Sequence, residues 1–174
     1  MRLSSPLILA FCLAFGTVAV TAQENDKLAT DEEDARVATI DARQNAVANF
    51  LATGNQLHSA GDEVKAAQAW NRAGGMQLLL SKPSDALVTY RQALNALKQS
   101  RSPQTRIDSL NGLANAYKHM SQYPEADQLL QRAIALSDRI GYKEGKARAL
   151  LIRPYCVDNK TTALQIAEDA LQLW

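Results

Sequence analysis

Apolar and small residues recur along most of this chain at spacings of three, four and seven, the period of an amphipathic helix. In residues 110–138, Leu110, Leu113, Ala114 and Tyr117 share one face of a first helix, and Ala126, Leu130, Ala133 and Ile134 share one face of a second. Between them Ser121, Gln122, Tyr123, Pro124 and Glu125 make a polar break, in which Pro124 suits a first helical turn because its missing N–H costs nothing there. The stretch reads as one helical hairpin. Ser102-Pro103, Ile140-Gly141 and Asp158-Asn159 supply starts and stops elsewhere, and Gly61 suits a left-handed helix end. The predicted helices run near 43–59, 63–80, 84–99, 103–119, 123–139, 144–156 and 161–173.

The second-helix pattern, Ala with partners at +4, +7 and +8, occurs at Ala86/Tyr90/Ala93/Leu94, at Ala126/Leu130/Ala133/Ile134 and at Ala163/Ala167/Ala170/Leu171, spaced by 40 and then 37 residues. A weaker echo at Ala66/Trp70/Ala73/Gly74 begins 20 residues before Ala86, so that helix serves as first helix of a hairpin ending near Lys98. Periods of this size indicate a solenoid. Small residues at Gly54, Gly74, Ala114 and Ala126 let helix backbones approach, so the core needs few aromatics.

Leu110, Leu113-Ala114, Tyr117, Ala126, Leu130 and Ala133 resemble the tetratricopeptide repeat (TPR) family, as do Trp70, Ala73-Gly74, Ala86, Tyr90 and Ala93, with Leu78 standing where a Tyr is looked for. Residues 140–150, IGYKEGKARAL, are similar to the longer-linker variety of bacterial TPR array. The likeness covers residues 44–174 and implies an all-α fold, a right-handed α-solenoid of TPR-like hairpins at about 63–99, 103–139 and 144–173. The last hairpin departs most, since Pro154 interrupts its first helix.

The N-terminus has another character. Arg2, an apolar run over residues 6–20 and the small-residue exit Val20-Thr21-Ala22 form a secretory signal pattern, with cleavage expected after Ala22 and the protein exported to the periplasm or medium. The run is short for a bilayer span, and an uncleaved anchor is the alternative. Residues 23–43 are an acidic leader. Thr30-Asp31-Glu32-Glu33 has the form of a capping box, so a helix from Asp31 and a disordered leader both fit. Loss of residues 1–22 leaves 18 basic and 18 acidic residues, a formal charge near zero with no basic cluster, which argues against nucleic acid as partner. Only Cys156 survives cleavage, so no internal disulfide is expected.

Chemistry is sparse. His58 and His119 are the only histidines; neither belongs to a metal-ligand pair, and no HExxH, GxSxG or phosphate-cradling loop occurs. No cofactor, metal or catalytic residue is expected. Cys156, next to Tyr155 and Val157, reads as packing rather than as a nucleophile.

The remaining functional surface is the groove that stacked first helices would line. In the TPR resemblance, polar side chains there, frequently Asn, grip the backbone of an extended peptide. Asn111 and Asn115 are four apart on the central first helix, with Lys118 and His119 a turn further on; Asn71 and Arg148 are their counterparts in the flanking hairpins. Solvation, or hydrogen bonding between helices, is the competing role for both asparagines. Further expectations are self-association through the apolar last helix, at Ile166, Leu173 and Trp174, and a role as the N-terminal part of a larger exported protein with a caspase-like peptidase domain downstream.

Overall fold

The computed structural model describes the backbone of residues 6–172 and the side chains of residues 33–172. Among these, seven α-helices and one 3-10 turn account for the fold: α1 (Pro6–Ser59), α2 (Glu63–Leu79), α3 (Pro83–Ala96), α4 (Pro103–His119), α5 (Tyr123–Ile140), α6 (Lys143–Ile152), the 3-10 turn Arg153–Cys156 and α7 (Lys160–Leu171). The chain divides into two units at Ala42 and Arg43. In the first, the acidic stretch is helical, and its side chains from Glu33 to Ala42 are exposed. The second holds the end of α1 and all the hairpins.

Hairpins α2–α3 and α4–α5 repeat one local chemistry. Each second helix has a proline in its first turn, Pro83 and Pro124. Each first helix ends in matching bonds. Ser81 N–H donates to Leu78 O and Lys82 N–H to Gln77 O (3.0 and 2.9 Å), and Ser121 N–H donates to Lys118 O and Gln122 N–H to Tyr117 O at the same distances. The two serines are left-handed, with φ of 56° and 58°. Gly61 and Gly141, with φ of 80° and 68°, close α1 and α5 likewise, Asp62 N–H donating to Leu57 O and Tyr142 N–H to Ser137 O (both 2.9 Å). Positions 61, 81, 121 and 141 therefore lie on one 20-residue grid, the half-period of the repeat. These bonds also correct the register read from sequence: Gln77, not Leu78, is the counterpart of Tyr117, and Gln77 is correspondingly buried.

The grid lapses near residue 101. Instead of continuing to residue 99, α3 stops at Ala96, because Leu97 is fully buried and its carbonyl accepts from the Arg106 guanidinium of α4. In the last hairpin Pro154 has no N–H for the carbonyl four residues back, so α6 tightens into the 3-10 turn.

Two aromatic rings fix the spacing of the layers. Trp70 of α2 lies against α1 at Gly54, where even a methyl group would overlap the indole. Tyr90 of α3 is held between Gly74 of α2 and Gly112 of α4; a methyl at Gly74 would lie 2.7 Å from the ring, and one at Gly112 nearer still. Around these anchors the core is made of small residues: Ala66, Ala67, Ala73, Ala86, Ala93, Ala114, Ala126 and Ala133 are all fully buried. The C-terminal core joins Ile107, Leu110 and Leu130 to Ala149 and Cys156.

Candidate functional site

First helices pack side by side, α2 on α4 and α4 on α6, whereas α3 and α5 make no comparable contact, so the row closes on the first-helix side. The residues expected to line this side have separate fates. Asn111 is 3% exposed, and its Nδ2 donates to Gly145 O of α6 at 2.8 Å. It is a tie between hairpins, and this corrects the expectation that it is offered to a peptide. Asn71 Oδ1 accepts from Ser109 Oγ at 2.9 Å and ties α2 to α4 in the same way, although Asn71 keeps part of its surface. Asn115 is half-buried, and its Oδ1, like that of Asn111, has no hydrogen-bond partner. Lys118 Nζ stands 5.1 Å from the centre of the exposed Tyr155 ring. His119 is exposed, its pKa held below the usual histidine value by partial burial and then by the neighbouring Lys118 charge.

Arg148 belongs to a cluster in which Asp108 and Tyr142 were not foreseen. Arg148 Nη1 is 3.1 Å from Asp108 Oδ1, Arg148 Nη2 donates to Tyr142 OH at 3.1 Å, and Tyr142 OH donates to Asp108 Oδ1 at 3.3 Å. The signal was available: Asp108 is three residues before Asn111, on the same side of α4. Burial raises the Asp108 pKa despite the opposing Arg148 charge and the Tyr142 hydrogen bond. The folded state therefore favours protonated Asp108. Its contribution to stability is complete below the unfolded pKa and is lost as pH rises through the folded one. Asp108→Asn should accordingly gain stability relative to wild type between acid and neutral pH, as measured by urea unfolding across that range; a difference independent of pH would contradict the assignment.

Candidate chemistry elsewhere is inert. Cys156 is buried in the C-terminal core with its Sγ 3.8 Å from Ile152 O, and burial, then the Asp127 charge, push its pKa up, opposite to what a nucleophile requires. Among the described residues no group of three His, Cys, Asp or Glu side chains is placed to hold a metal, and no helix is long and apolar enough to cross a membrane. A concavity of about 710 Å³ opens between α1, α2 and α3, lined by His58, Glu63, Trp70, Val88, Arg91 and Lys98. There His58 Nδ1 meets Glu63 Oε2 at 2.7 Å, with no nucleophile beside the pair.

The self-association residues also need correction. Ile166 is 5% exposed, packed with Leu150 and Ala170, and is spent on the chain's own core. Leu173 and Trp174 lie outside the described residues. The large apolar groups that α7 exposes are Leu164 and Leu171.

A family model described as tetratricopeptide repeat matches residues 106–140, the α4–α5 hairpin almost end to end. No curated protein sequence matches the chain.

Proposed function

We propose that the chain is an exported, non-catalytic scaffold that binds a protein segment or extended peptide along the face formed by α2, α4 and α6. The observation that carries this is half-buried Asn115: its Oδ1 is buried without a partner, and the part of the residue left at the surface, three residues before a lysine over an exposed tyrosine ring, is an amide that can turn to meet the backbone of a bound segment. Further along α4, Lys118 stands over Tyr155 and Asp108 holds Arg148, so the helix carries groups that suit carboxylate and apolar side chains, and the TPR-type α4–α5 hairpin supports the reading. Asn71, tied to Ser109, and the exposed His119 tune rather than anchor the contact.

The test is affinity for a peptide selected on the intact protein from a random library. Asn115→Ala should weaken binding by about 1 kcal/mol, the net worth of one hydrogen bond, with helicity unchanged. Binding indifferent to Asn115→Ala would move the site to the α3–α5 side. Export is part of the proposal, and recovery of protein lacking residues 1–22 outside the cytoplasm is the expected result, checked by intact mass.

A further inference from the structure

We propose that a second copy of this chain docks on the outward face of the last hairpin, with its α7 antiparallel to the first copy's α7 about a two-fold axis at Leu164. The argument starts from the repeat. Among the contacts that hairpin α4–α5 makes with the next hairpin, Asn111 bonds Gly145 O, Asp127 Oδ1 accepts from Arg153 Nε at 2.6 Å, and Ile134 packs on the Leu150 cluster. Carried forward by the repeat spacings of 40 and 37 residues, these positions become Leu151, Leu164 and Leu171. All three are leucines, and they are 54%, 62% and 75% exposed. These three positions, which carry polar and mixed groups where α6 and α7 cover them, are thus all apolar on the last hairpin, whereas the contact position of Asp108 carries Arg148 there.

The charges around Leu164 identify the occupant. In an antiparallel helix pair whose axis passes at Leu164, each residue faces the one equally far on the other side of Leu164 in the partner copy. Lys160, four before, then meets Glu168, four after, and the reverse pair forms at the opposite end; both side chains are exposed. Seven residues after Leu164, Leu171 reaches past the first turn of the partner copy's α7, towards the segment that joins it to the 3-10 turn. Lys160, Leu164 and Glu168 thereby make one line of α7 complementary to itself, the requirement of an isologous dimer. This surface is separate from the peptide-binding face and stands or falls without it.

Sedimentation of the purified full-length chain should show a monomer–dimer equilibrium in the micromolar range. Leu164→Glu and Leu171→Glu, both at exposed positions, should give monomers with unchanged thermal unfolding. Lys160→Glu alone should weaken the dimer about tenfold, and Lys160→Glu with Glu168→Lys should restore it. Leu164→Cys in a Cys12→Ser background should cross-link to itself on oxidation. A monomer at all these concentrations, association that survives Leu164→Glu, or a double charge exchange that fails to restore the dimer would each overturn the proposal.

Discussion

Trp70→Ala is expected to destabilise the second unit by about 3–5 kcal/mol, the usual cost of truncating a buried large aromatic. Trp70 is 1% exposed and forms a cluster with Ala66, Ala67, Ala93 and Leu97, with Leu51, Leu57 and Val64 around it. Truncation would leave a cavity walled by α1, α2 and α3, and its alanine neighbours are too short to fill it. One term works the other way: Trp70 Nε1 is buried without a hydrogen-bond partner, so removing the indole also removes an unsatisfied donor. Trp70→Phe should therefore recover most of the loss. Urea unfolding decides the matter, and a Trp70→Ala midpoint close to wild type would mean that α1 does not pack on α2 in the register described.

Gly112→Ala is the second large effect, expected at about 1–3 kcal/mol of destabilisation although alanine is the better helix former. Its Cβ would enter the space of the Tyr90 ring, and that ring cannot retreat because Gly74 backs it on the other side. Gly75 provides the internal control. The atom nearest to a Cβ there is the Tyr90 hydroxyl at 3.8 Å, so Gly75→Ala should stabilise by roughly 0.5–1 kcal/mol. Thermal unfolding of the two variants should move in opposite directions, and shifts of the same sign would remove Tyr90 from its place between α2 and α4.

These residues mark how far the sequence could be read. Helices and hairpin pairing were legible because alanine and leucine spacing carries both, and Gly74 was recognised as a close-contact position. Gly112 was not, since its need for a missing side chain is imposed by Tyr90, on the preceding hairpin. Leu78 attracted the Tyr position because it is apolar, yet backbone bonds at the turn set the register one residue earlier, at Gln77. Four residues along a helix leave a residual rotation of about 40°. That angle separates Asn111, turned into the α4–α6 seam, from Asn115, which keeps an open side. In α7 the same ambiguity concealed which apolar residues face inward. Ile166 does, while Leu164 and Leu171 do not, and only comparison with Asp127 and Ile134 in the preceding hairpin separates them. Asp108 passed unnoticed because its value lies in Tyr142 and Arg148, more than thirty residues away.

The central claim, that recognition belongs to the first-helix face, is tested most directly by nuclear magnetic resonance of backbone and side-chain amides during titration with a selected peptide. The account predicts that perturbations centre on Asn115, with Tyr155, Arg148 and Asn71 beside it, and that the Asn111 side-chain amide stays protected because Gly145 O holds it. Perturbations confined to Val88, Arg91, Asn95 and the other exposed groups of α3, with Asn115 silent, would contradict it.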